Sequence, residues 1–183
     1  SAAGLHTGFA LDAEGDTVLL YDTTASGGAL LDSVRFGFQI PDHSISRTGP
    51  AGTAWALSAP TPGAANATAA THGGVGAVKI NEWAGRIAFR VDDDFVELYN
   101  SAAQPVALAG ARLTDDAINY PGRFAFPALS FIAANGFLHL YGTDLPFGLD
   151  GDFDVLSLLG ENGALIDQVD FIAQPADHST ARG

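Results

Sequence analysis

One stretch of this chain occurs twice, and the duplication constrains the fold more than any other feature. Residues 9–48 (FALDAEGDTVLLYDTTASGGALLDSVRFGFQIPDHSISRT) align with 147–183 (FGLDGDFDVLSLLGENGALIDQVDFIAQPADHSTARG) once the first copy is allowed three extra residues in its turn at 23–28. The frame pairs Phe9 with Phe147, Asp12 with Asp150, Asp16 with Asp154 and Asp32 with Asp167. It continues with Val34 and Val169, Phe36 and Phe171, Gln39 and Gln174, Asp42 and Asp177, and Arg47 and Arg182. Self-similarity at such a distance signals tandem units. The first unit lacks the stretch that precedes the repeat in the second, so the chain reads as the C-terminal half of one module followed by a second.

The segments between turn residues alternate apolar and polar with a period of two, and no 3.6-residue pattern runs beyond about two turns. The expectation is an all-β chain, with strands at 17–21, 29–36, 53–57, 77–82, 95–99, 106–113, 123–126, 137–141, 155–159 and 164–171. Residues 60–76 (PTPGAANATAATHGGVG) are small and carry too little apolar area to form a packed element. The expected division is therefore a half-module at 1–66, a flexible linker at 67–76 and a complete module at 77–183. The last has the length and strand density of an immunoglobulin-like sandwich.

Composition narrows the partners. The 183 residues carry a formal charge of −13 with a single lysine, and the seven arginines are scattered. Such a surface suits nucleic acid poorly, because phosphate binding needs clustered cations. The absence of cysteine excludes a disulfide framework, a thiolate metal site and a Cys nucleophile. No apolar run approaches the roughly 20 residues of a membrane span, and no residue set implies a cofactor. The acidic, Ala/Gly/Thr-rich, lysine-poor composition suits an exported bacterial protein, so the expected location is extracellular or the cell envelope.

The order of motifs in the second unit carries a resemblance. Val78-Lys79-Ile80-Asn81-Glu82-Trp83 is followed by Phe95-Val96-Glu97-Leu98-Tyr99-Asn100, then by Pro105 to Gly110 with Leu113-Thr114-Asp115, and then by Phe124-Ala125-Phe126-Pro127. It closes on Leu165 to Phe171 with Gln174-Pro175-Ala176-Asp177 and Arg182. Trp55 with Ala59-Pro60-Thr61-Pro62-Gly63 supplies a closing signature in the first unit. This series resembles the lamin tail domain family. The resemblance implies an immunoglobulin-like β-sandwich, a non-catalytic role, and a place among surface or secreted modules. The first unit departs from the pattern by lacking the early strands, and the second by lacking the Trp and TPG closing strand.

Several residue groups invite chemistry. Asp42-His43-Ser44 and Asp177-His178-Ser179 have the residue types of a hydrolytic triad, but neighbours in an extended strand point to opposite faces, which separates base from nucleophile. Asp150, Asp152 and Asp154, with Glu161 at the twelfth position, follow the spacing of a calcium loop, yet Val155 stands at the sixth position, where the turn requires glycine. These residues read as an acidic turn entering a strand, and Asp92-Asp93-Asp94 as a solvated tip. Asp32 and Asp167 share strand parity with apolar neighbours, which aims each carboxylate inward. A buried carboxylate needs partners: the cheapest is a local backbone N–H in a turn or at a bulge, and Arg47 and Arg182 are candidates if the strands fold back. Trp55, Trp83, Phe124, Phe126 and Phe171 read as core aromatics, with an exposed Trp83 beside Tyr99 or Tyr120 as the alternative, a sugar-stacking platform.

No catalytic, cofactor or metal residue is assigned. The expected function is a non-catalytic interaction or structural module of a larger secreted protein, with protein partners reached by self-association through strand pairing or swapping, or at another surface. The alternative is a calcium-dependent carbohydrate-binding module of an extracellular hydrolase. Residues 1–66, with unpaired strand edges, are expected to pack on the second unit or to mediate a swapped dimer.

Overall fold

Alternation of side chains across the strands decides how the chain layers. In a computed structural model, which describes residues 8–85 and 94–183, fourteen strands follow in order: β1 (Asp16–Tyr21), β2 (Leu30–Phe36), β3 (Ser44–Thr48), β4 (Ala54–Ser58), β5 (Val78–Ala84), β6 (Phe95–Asn100) and β7 (Val106–Ala107). The rest are β8 (Arg112–Thr114), β9 (Phe124–Ala125), β10 (Phe131–Ile132), β11 (Phe137–Tyr141), β12 (Phe153–Leu159), β13 (Leu165–Ile172) and β14 (Thr180–Ala181). In β6, Val96, Leu98 and Asn100 are buried while Phe95, Glu97 and Tyr99 face outward, the pattern of a half-buried strand. β5 carries a bulge between Ile80 and Glu82, which returns Trp83 to the buried side with Val78 and Ile80.

The protein is an all-β sandwich. One four-stranded sheet runs β11-β6-β5-β14 and the other β13-β12-β8-β9, and both fill a shared core. Val78, Ile80, Trp83, Val96, Leu98 and Leu140 from the first meet Leu113, Leu156, Leu158 and Phe171 from the second. Burial of each of these ten side chains stabilises by on the order of 1.5–3 kcal/mol before chain entropy opposes it. The stretch 106–113, expected as one strand, is two. Gly110, at φ 74, turns the chain between β7 and β8, and Ala111 donates to the Leu108 carbonyl across that turn. Three strands had no counterpart among the expected ones: β3, β10 and β14.

The early residues pack on this sandwich. Phe38 enters its core beside Phe126, ring centroids 5.9 Å apart, and Ile40 and Leu57 form a second cluster with Phe131. Gly37 donates to Ala128 O, Phe131 donates to Phe38 O, and Gln39 Nε2 reaches Leu129 O. Gly37 has no side chain for a reason of space: a Cβ there would lie 2.0 Å from Ser130 Oγ. Residues 67–76 are tied at Ala69 to Ser58, at Ala70 to Leu57 O, and at Gly73 to Pro105 O and, as a parallel bridge, to Val106.

Candidate functional site

The duplicated residues converge on one strand. Within 77–183 the β12–β13 hairpin (153–172) forms one layer, and the chain then turns back so that β14 pairs with the end of β5, Thr180 opposite Trp83 and Ala181 opposite Glu82. Asp167 of β13 accepts the backbone N–H of Ile80 at 2.8 Å, and Arg182 Nε donates to the carbonyl of the same residue at 2.7 Å. Arg182 Nη2 also forks onto both oxygens of Asp167, at 2.8 and 2.9 Å, a charge-assisted contact made from one nitrogen. Gln174 holds the far end of β5, accepting from Gly85 N and donating to Trp83 O. Three repeat residues thus clamp the backbone of one strand, and Trp83 of that strand rests on Phe171 at 5.5 Å.

The first copy has the same clamp without the strand. β1 and β2 form the equivalent hairpin, Val18 opposite Val34 and Leu20 opposite Asp32, and β3 returns Arg47 to Asp32, where Nη2 meets both carboxylate oxygens. These hydrogen bonds, with help from Ser33 N–H, hold the Asp32 carboxyl below the usual carboxylate range against a desolvation that pushes it up. The Asp32 side chain is 42% exposed, however, against 10% for Asp167. Arg47 spends its Nη1 on Gly52 O and lies 4.3 Å over the Trp55 ring, and its Nε meets no acceptor among the described residues. Gln39 is turned away to Gly37 O and Leu129 O.

Where β5 lies in the second copy, the first has an open groove of about 510 Å³. Val18, Val34, Phe36, Ile45 and Trp55 supply its apolar walls and Gln39 and His43 its polar rim. One edge of β3 borders it. Leu57 turns its carbonyl away from β3 to accept from Ala70, so Ile45 opposite Leu57 is a non-hydrogen-bonded pair. The backbone groups of Ile45 and Arg47 therefore point away from β4. The same edge of β14 carries the bond from Arg182 N to Asn81 O.

The other sequence-predicted groups fall elsewhere. Asp42-His43 is not extended, as the triad argument assumed, but turned: Asp42 has φ 59 and Asp177 has φ 60, a left-handed conformation that aspartate tolerates. His43 Nδ1 faces Pro41 O at 2.9 Å and His178 Nδ1 faces Ala176 O at 2.8 Å, so in each copy that nitrogen is the donor to a backbone carbonyl. Ser44 Oγ is bonded to Ser58 Oγ. Asp150 accepts from Asp152 N, and Asp154 from Asp150 N and Val155 N, the bonding of a capped turn. Asp94 accepts from Leu149 N; Asp92 and Asp93 lie outside the described residues. Among the described residues no three His or carboxylate side chains cluster as a metal site would require.

Trp83 is buried, whereas Trp55 is half-buried beneath Arg47. Tyr120 is exposed, as are Phe137 and Tyr141, while Phe95, Tyr99 and His139 are half-buried. Tyr99 packs beside Phe137 at 4.8 Å, and His139 lies between Phe95 at 4.7 Å and Tyr141 at 4.5 Å, on the outer face of β6 and β11. A half-buried acid that sequence reading missed is Asp115. Burial pushes its carboxyl up, Arg123 at 2.9 Å opposes the shift, and its Oδ1 has no hydrogen-bond partner among the described residues. Only the Arg at 123, eight residues on, signalled it.

Comparison with family models, with curated proteins and with solved structures finds nothing that matches this chain. Among the described residues no helix is long and apolar enough to cross a membrane.

Proposed function

We propose that this protein is a non-catalytic interaction and structural module of a larger secreted or cell-envelope protein, built on an immunoglobulin-like, lamin-tail-like sandwich and associating by strand pairing. The observation that carries this reading is the β1–β2 hairpin. Leu19, Leu20, Tyr21, Leu30 and Leu31 are all exposed on it, and no described strand pairs with the outer edge of β1. In the second copy the corresponding edge, that of β12, is taken by β8. Unpaired edges beside exposed apolar residues are templates for another chain.

Sedimentation of the full chain over a concentration series tests it. The expected result is self-association that Leu20→Lys abolishes while the circular dichroism stays unchanged. Added salt strengthens association by screening the repulsion of the −13 charge. A sedimentation coefficient that is independent of concentration, and equal in the variant, would remove self-association from the reading.

A second reading has its own support. The outer aromatic row of Phe95, Tyr99, Phe137, His139 and Tyr141 is flanked by Glu97 and Asn81, themselves hydrogen-bonded at 2.7 Å. Flat aromatic faces beside fixed polar groups suit sugar rings. Titration calorimetry with soluble polysaccharides, repeated with calcium and with chelator, tests it. Binding lost in Tyr141→Ala would support a carbohydrate role, and no heat with any glycan would retire it.

A further inference from the structure

We infer that the groove beside β3 is a docking site for a single extended polypeptide strand of the β5 pattern, gripped by Asp32 and Arg47. This rests on the interaction reading above and names its ligand. The two copies differ at this place. In the second, Asp167 takes the N–H and Arg182 the C=O of Ile80, a residue completely buried on the side that faces β13. In the first, Asp32 and Arg47 hold the same mutual fork on the same hairpin, with the carboxylate open to solvent and Arg47 Nε without an acceptor among the described residues.

The pattern of the occupant follows from the strand that fills the second copy. It has apolar residues at the positions of Val78 and Ile80, a bulge after the second, and a large aromatic at the position of Trp83 to lie on Phe36 as Trp83 lies on Phe171. It ends on a small residue, because a Cβ at Gly85 would lie 2.9 Å from Leu149 Cβ, and Leu11 is the Leu149 equivalent. Its backbone bonds to Ile45 and Arg47 on the vacant edge of β3. The Asn66 side chain now donates to Arg47 O at 3.1 Å and gives way on docking. Strand addition of this kind draws affinity from main-chain bonds and selectivity from alternate side chains. Gln39 is committed to the second unit, so the end of the docked strand is held less firmly than β5 is by Gln174.

Amide exchange measured by NMR tests this on the full, isotope-labelled chain with an unlabelled synthetic peptide spanning residues 77–100. The Ile45 and Arg47 amides are expected to slow about tenfold at nine-tenths occupancy, since exchange then proceeds from the empty tenth, and Asp32→Asn is expected to erase that protection. If Asp32→Asn unfolds, Arg47→Lys serves instead, keeping the charge and removing the Nε–H that would meet the docked strand's carbonyl. Unchanged exchange at Ile45 and Arg47 with the peptide near 1 mM, a concentration at which even weak binding reaches about half occupancy, would overturn the inference. So would protection that survives both variants, or peptide-induced change confined to the partners of β5 in the second unit. Sedimentation reports on the β1–β2 hairpin and exchange on the β3 edge, so either proposal can fail alone.

Discussion

The two copies of the repeat differ in what surrounds them far more than in what they are made of. Leu158 is fully buried and its counterpart Leu20 is 57% exposed; Phe147 is buried and Phe9 is exposed. Yet the local bonds agree almost atom for atom. Asp12 accepts from Glu14 N as Asp150 does from Asp152 N, Asp16 from Thr17 N as Asp154 does from Val155 N, and both aspartate–arginine forks close. Hairpin, turn and fork are therefore properties of the repeat itself, while burial is conferred by β5, β6 and β8, to which no described strand of the first copy corresponds.

Predictions can break that comparison, and the largest effect is expected in the core. Leu158→Ala should lower stability by roughly 3 kcal/mol through lost transfer energy and a cavity, whereas Leu20→Ala should change it by less than about 0.5 kcal/mol, the range for exposed sites. Equal losses in urea denaturation would mean that the first hairpin is packed after all. Next, Asp167→Ala should lower stability by roughly 2 kcal/mol, because it leaves the buried Ile80 N–H without its acceptor. Asp32→Ala should do distinctly less, and a parallel drop in melting temperature would contradict the difference in exposure.

A third test concerns the joint between the copies. Gly37→Ala must displace Ser130 and Pro127, an overpacking expected to destabilise by about 1–2 kcal/mol, and Ser130→Ala should restore part of it. The smallest effects are those of pH, and they have opposite signs. Asp32 is depressed by Arg47, so its contribution is present above the ordinary aspartate value near 3.9 and is lost as pH falls through the lower folded value. Asp115 is raised by burial, so the folded state holds its proton where the unfolded state has released it. Stability then falls as pH rises from the ordinary value through the raised one. Acid-range unfolding curves of Asp32→Asn and Asp115→Asn should each lose one of these slopes.

Much of this was legible in the chain. β11 and the outward and inward faces of β6 follow directly from alternation; strand parity singled out Asp32 and Asp167, with Arg47 and Arg182 as one of two kinds of partner beside a local backbone N–H. β3 and β14 escaped because Ser44-Ile45-Ser46-Arg47-Thr48 and Thr180-Ala181 carry almost no apolar alternation. Their strand character comes from pairing with β4 and β5, a tertiary cause. The joining of 106–113 into one strand overlooked the Gly110 turn. The clamp could be read as a pair of side chains but not as a grip on Ile80, since nothing local announces a contact 87 residues apart.

Phe38 has a consequence for how the chain comes apart. It belongs by sequence to the first copy and by position to the core of the second, so no cut between 48 and 77 would separate two bodies that each keep an intact interior. Heat should therefore melt the chain in one cooperative transition, and a protease opening the loop at 60–66 should leave its two fragments bound together under native conditions.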